Sequence, residues 1–155
     1  MLLISKRMPD KVSKNNVAIT MTMEIWDGDE KDITRVETNG QLLHKGNRTV
    51  LTFSEKNENN EQTDSLITIY PGRVSIKRSG AVSMLQKFCE HQLTENVYRH
   101  QFGTIHMETN TEHISYQKQS EDNPGKLFIR YTTSLNGDTP RKHRLIILIK
   151  DRGGK

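Results

Sequence analysis

Cys89 and His91 stand two positions apart in a chain of 155 residues. On a continuous strand, residues i and i+2 share a face, so this pair is the nearest approach to an activated thiolate nucleophile. No local signature of a cysteine enzyme surrounds it, and a turn begins near Gln92, which favours a half-buried thiol beside a surface histidine. The six histidines, His44, His91, His100, His106, His113 and His143, raise the question of a metal. A zinc site made of histidines alone needs three ring nitrogens within about 2.1 Å of one ion. His100 and His106 share strand parity, but His113 is out of phase with them. H-E-x-x-H and paired cysteines are both missing, so neither metal nor cofactor is expected.

Arg78 closes a strand just before Ser79-Gly80. Turned inward, its guanidinium needs an acceptor, because an unpaired buried charge is very costly. A ligand carboxylate or phosphate would serve, as would a carbonyl or glutamate of the protein, and the structural acceptor is the favoured one. Met84, Phe88, Tyr98, Phe102 and Tyr131 supply large side chains that would line a cavity or, with no ligand, fill a core. The glycines form neither G-x-G-x-x-G nor a P-loop, and no G-x-S-x-G elbow occurs. Carboxylates crowd Glu55 to Asp64, where solvation is the default, and nothing singles out an acid–base pair. The chain reads as a binding protein without catalysis.

The elements that must position these residues have a period of two. Val17, Ile19, Met21, Met23 and Ile25 alternate with Ala18, Thr20, Thr22, Glu24 and Trp26, one buried face of a strand. Asp27-Gly28 is a turn signal, Gly46-Asn47 another, and Pro71-Gly72 sits at the centre of a hairpin between Leu66–Tyr70 and Arg73–Arg78. Asn39-Gly40 interrupts a β-branched stretch and suggests a bulge or tight bend. Thr49–Glu55, Val82–Cys89, Val97–Gln101, Thr104–Thr109, His113–Lys118 and Lys126–Leu135 read as further strands. Lys56–Gln62, with no apolar residue, reads as an exposed loop. Leu145-Ile146-Ile147-Leu148-Ile149 is apolar on both faces and wants neighbours on both sides. No window carries a convincing helical stripe.

Nine or ten short strands in sequence, without crossovers, make an antiparallel meander, and closure into a barrel removes its edges. One domain over residues 17–150 is expected, with a loose arm over 1–16 and a tail over 151–155.

Composition narrows the classes. Lys+Arg 23 against Asp+Glu 19 gives 23 − 19 = +4, and hydrophobic residues make up 32%. With a mean hydropathy of −0.76, the interior must be small, partly polar or open. No apolar run approaches the ~18 residues of a membrane helix, and Met1–Ile4 is too short for a signal-peptide core. A single cysteine with no export signal points to the cytoplasm. The cations are scattered apart from Arg141-Lys142-His143-Arg144, and Tyr98-Arg99-His100 is the one tight aromatic–basic cluster, so nucleic acid is not the expected partner.

The middle of the chain carries a familiar pattern. Val74-Ser75-Ile76-Lys77-Arg78-Ser79-Gly80 leads into Met84 and Phe88, and about ten residues later comes Tyr98-Arg99-His100-Gln101-Phe102-Gly103. This resembles the YwiB-like family, a bacterial domain of unknown function. Arg78 and Gly80 fit its Arg-x-Gly strand end, and Tyr98, Phe102 and Gly103 fit its Tyr and following turn. His100 and Gln101 stand where Thr-Pro is usual. The resemblance spans roughly Val17 to Lys150. It implies an all-β, lipocalin-like (calycin) barrel of about eight to ten antiparallel strands, and no activity.

The resulting expectation is a barrel holding a small, partly apolar ligand, anionic if Arg78 meets it, with Arg78, Met84, Phe88, Tyr98, Phe102 and Tyr131 around it. The alternative is an interaction module that offers its basic surface to RNA or a protein partner. An enzyme is the third reading. Strand edges near Leu66 to Arg78 would allow a homodimer.

Overall fold

Residues that alternate between apolar and polar form strands. In the computed structural model, which describes residues 12–100 and 102–152, ten strands follow. They are β1 (Val12–Asp27), β2 (Glu30–Lys45), β3 (Arg48–Lys56), β4 (Gln62–Tyr70), β5 (Arg73–Gly80), β6 (Ser83–Cys89), β7 (Gln92–His100), β8 (Gly103–Gln117), β9 (Gly125–Leu135) and β10 (Arg141–Asp151). Each pairs antiparallel with its neighbour in sequence, and β1 also pairs with β10, which closes the barrel. The expected all-β meander barrel is the observed fold. Among the described residues there is no helix, hence none long and apolar enough to cross a membrane.

The doubly apolar β10 makes the closure. Ile149, Ile147 and Leu145 lie opposite Ile19, Met21 and Met23 of β1. With Val17, Leu127 and Ile129, these three β10 side chains are at most 2% exposed, and full burial of such a side chain contributes about 1.5–3 kcal/mol. Thr63, Ser65, Gln86, Thr109, Thr111 and Thr133 are buried among the apolar residues. A partly polar interior is how a chain with few apolar residues fills a barrel.

Several sequence-based readings change: β7 starts at Gln92, and the expected strands Thr104–Thr109 and His113–Lys118 are one strand, β8. β1 begins at Val12, so Val12–Asn16 belong to the barrel and pair with Gln41–Lys45. Their side chains from Ser13 to Asn16 are exposed, so backbone pairing carries this segment and no alternation betrays it. The rest of the expected arm, residues 1–11, lies outside the described residues. β10 continues to Asp151, and the Arg152 N–H donates to the Asn16 carbonyl at 3.0 Å. Finally, Asn39-Gly40 is no bulge. Gly40 pairs in register with both Val17 and Phe53, and a Cβ there would run into the Thr52 carbonyl oxygen and Ile19 Cδ1. The register shift falls instead between Thr111 and His113 in β8.

Two seams in the wall are short. β2 meets β3 only through Gly40–Lys45 and Arg48–Phe53. β6 meets β7 only through Ser83 with Arg99 and Met84 with Tyr98. By contrast β4 and β5 are laddered on both sides, so Leu66 to Arg78 offers no free edge. Closure has consumed it.

Candidate functional site

Where β6 and β7 stop pairing, side chains take over from the ladder. The Thr94 hydroxyl donates to the Lys87 carbonyl at 2.6 Å, and the Lys87 N–H donates to Asn96 Oδ1 at 3.4 Å. Behind them, Gln86 Nε2 donates to Thr109 Oγ1 at 3.0 Å across the interior. The wall is held together here but not sealed.

A cleft of about 390 Å³ opens at this seam, lined by residues of β5, β6 and β7. Strand parity explains its make-up. Arg78, Met84 and Asn96 belong to the inner face, while Lys77, Leu85, Lys87, Glu95, Val97 and Arg99 belong to the exposed outer face. Inner and outer residues share one cleft because the ladder between them is broken. Its volume falls in the range of small-molecule sites, about 300–1,000 Å³.

The charge in the cleft is one-sided. Lys77, Arg78, Lys87 and Arg99 face a single lining carboxylate, Glu95, which lies 3.9 Å from His106 Nε2. Arg78 is directed inward and has found an acceptor within the protein. Its Nη2 lies 4.0 Å from Glu55 Oε1 of β3, and its side chain remains 35% exposed. That loose pairing leaves donors of the guanidinium available to a ligand. Met84, Leu85 and Val97 give the cleft an apolar side.

Of the six residues expected around a ligand, Arg78 and Met84 line this cleft and the others separate. Tyr98 pairs with Met84 along the seam and is half-buried. Phe88 and Tyr131 are buried, 0% and 3% exposed, with ring centroids 4.8 Å apart in an edge-to-face contact, and Tyr131 also lines a second cleft with Trp26, Arg130 and His143. Phe102 sits at the β7–β8 turn and is 85% exposed, so it lines no cavity. Parity states which side a residue faces and not what lies across the barrel, so it does not separate Phe88, packed in the core, from Tyr131, which reaches a cleft.

Lys77, Lys87, Asn96 and Arg99 were missed. The sequence signals for them were the Lys77-Arg78 pair and the Tyr98-Arg99-His100 cluster. Register brings in the rest, since Lys77 lies opposite Leu85, Ser75 opposite Lys87 and Ser83 opposite Arg99.

The Cys89–His91 pair does not form. β6 ends at Cys89, and His91 occupies the following turn with φ 62°, so the two no longer share a strand face. His143 points inward, stacked on Tyr131 at 4.6 Å, with Nε2 2.7 Å from Thr133 Oγ1. Burial first, and the nearby Arg141 second, lower its pKa to about 4. Burial followed by Lys118 lowers that of His44 in the same direction. On the outer face of β7 and β8, Glu95, His106 and Glu108 bring one donor atom each within 4.8 Å of one another. This set offers three donors where a structural zinc takes four.

The family model described as "Domain of unknown function (DUF1934)" matches residues 19–147. Among curated proteins the chain is similar to the "Uncharacterized beta-barrel protein YwiB" of Bacillus subtilis. The two are 25% identical over 136 residues, covering 86% of this chain and 94% of the relative. Among solved structures it is similar to the crystal structure of the ywiB protein from Bacillus subtilis. There the TM-score is 0.77 at 22% identity, over 89% of this chain and 92% of that one.

Proposed function

Because the chain belongs to the DUF1934 domain family, matched over residues 19–147, its premise is a β-barrel with no assigned activity, and we propose that it binds a small, partly apolar anion without catalysis, in the cleft between β5 and β7. The observation that carries this reading is the excess of Lys77, Arg78, Lys87 and Arg99 over Glu95 in one concave, partly apolar site. Clustered cations in a low-dielectric cleft focus the field and raise the local concentration of anions. An anion with an apolar body would engage Arg78 and Arg99 through planar, paired donors and rest that body on Met84 and Val97.

The same geometry supports a small ligand over RNA. The basic run Arg141–Arg144 does not form a uniform face. Arg141 pairs with Asp27 at 3.5 Å and Arg144 with Glu24 at 3.2 Å. Arg144 and Lys31 also flank the Trp26 ring at 5.4 and 5.0 Å from its centre.

Titration with the fluorescent apolar sulfonate 1-anilinonaphthalene-8-sulfonate, paired with native mass spectrometry of the purified protein, tests the proposal. Saturable one-to-one binding is expected, weakened at least tenfold in Arg78→Ala and in Lys87→Ala/Arg99→Ala. Arg130→Ala, on a different face, should leave it unchanged. Equal affinity in all variants removes this cleft as the site.

A further inference from the structure

We propose that the unpaired stretch of β2 is a dimerisation edge, on which two copies of this chain join β2 to β2, antiparallel, about a twofold axis at Val36. This stands independently of the cleft.

β2 is 16 residues long, but only its second part is flanked on both sides. β1 pairs with it from Glu30 to Lys45, whereas β3 joins it only from Gly40 onward. Beyond Gly40 the Thr38 hydroxyl still donates to the Ser54 carbonyl at 3.4 Å. The backbone groups left over can be identified. Asp27 and Glu30 bracket the two-residue turn Gly28-Asp29 and pair directly, so they exchange hydrogen bonds, and so does every second pair along the ladder. Even-numbered residues of β2 therefore direct their N–H and C=O groups to β1. Lys31, Ile33, Arg35, Glu37 and Asn39 direct theirs to the opposite side, where no described strand pairs with them. Glu30 to Arg35 are all exposed, and Ile33 is 60% exposed.

A free edge of this length is a template for another strand, and its sequence selects which one. Two antiparallel copies can hydrogen-bond only if odd residues face odd residues. With the axis at Arg35, that arginine would oppose itself. With the axis at Thr34, Arg35 would oppose Ile33. With the axis at Val36, Arg35 of each copy lies opposite Glu37 of the other, so two ion pairs form across the junction. Within one chain these side chains already lie 3.3 Å apart on one face, so both are placed to cross over. Val36, half-buried and β-branched, then meets its own copy in a non-hydrogen-bonded pair, the position where cross-strand side chains approach most closely. The register is self-complementary, which singles out a second copy as the occupant.

Light scattering coupled to size exclusion tests it over a range of concentrations. Wild type should approach about 36 kDa, twice the 17.9 kDa chain. Arg35→Glu and Glu37→Arg, both at exposed positions, should each weaken the dimer at least about tenfold by setting like charges opposite one another. The double swap Arg35→Glu/Glu37→Arg should restore it. In a Cys89→Ser background, Val36→Cys should give a disulfide-linked dimer on mild oxidation, and Thr34→Cys should not. Circular dichroism checks that each variant is folded. A wild type that stays monomeric at several hundred micromolar overturns the proposal. So does a dimer that the single swaps leave unmoved, or one that the double swap fails to restore.

Discussion

His143 carries its chemistry in the protonation state that its surroundings impose. Its ring lies flat on Tyr131, 7° from parallel, and Nδ1 is buried without a hydrogen-bond partner. Burial and Arg141 bring its pKa from 6.5 to about 4. An unfolded chain therefore takes up a proton between those values that the folded one does not. The stability at stake is fully present above pH 6.5 and is lost as the pH falls toward 4. His44 adds to the trend in the same direction. The fall in melting temperature from pH 7.5 to pH 5 should be smaller in His143→Gln than in wild type, and equal falls would remove His143 as the cause. None of this was legible at the residue scale. Parity places His143 on the same face as Leu145, yet the run Arg141–Arg144 reads as one basic cluster until the strand splits it between two faces. Phe88 shows the same limit. Its partner Tyr131 is 43 positions away (131 − 88 = 43), so the choice between cavity wall and core was never local.

Elements were read better than their contacts. The ten-strand succession follows from period-two alternation and turn dipeptides such as Pro71-Gly72, because these are local signals. The length of each ladder is not local, and the candidate site depends on it. β6 and β7 look like ordinary neighbours in sequence, but they part after Met84 and Tyr98 and rely on Thr94 and Asn96 to span the gap. Asn96 is 8% exposed, and its Oδ1 is the acceptor for the Lys87 amide. Asn96→Ala removes that acceptor at the edge of an open cleft, at a cost of about 0.5–1.5 kcal/mol, the net contribution of a typical hydrogen bond. Urea denaturation should register the loss. Hydrogen exchange should quicken first at Lys87, ahead of the amides of β9 and β10. Uniform quickening across the barrel would mean that the side-chain bridge is not what holds this seam.

At the scale of the whole molecule, sequence order and spatial order coincide around the barrel, and the ring closes where the two ends of the described chain meet. Val17 lies opposite Asp151, and Arg152 bonds back to Asn16. The apolar β10 announced this closure, since a strand apolar on both faces cannot be left at an edge. The extra residues of β1 from Val12 did not, since Ser13 to Asn16 are polar and exposed, held by backbone pairing and by the Asn15 amide donating to Asp151 Oδ2 at 3.3 Å. If the fold is the ring of ladders and not the order in which the chain visits them, the starting point should be exchangeable. Residues 153–155 and 1–11 together supply 3 + 11 = 14 residues of connection, ample to bridge from Arg152 to the start of β1, since an extended residue reaches about 3.3 Å. New ends between Glu58 and Asn59 fall in an exposed turn whose hydrogen bonds, such as Asn59 N–H to Asn57 Oδ1 at 2.9 Å, are local, the kind of site where cuts are tolerated. This permutant should unfold cooperatively within a few degrees of the original chain. A second permutant, opened inside β9 between Ile129 and Arg130, cuts through ladders to both β8 and β10 and should give no cooperative transition. Thermal melts followed by circular dichroism compare the two, and failure of the first permutant would show that folding needs β1 and β2 to lead the chain.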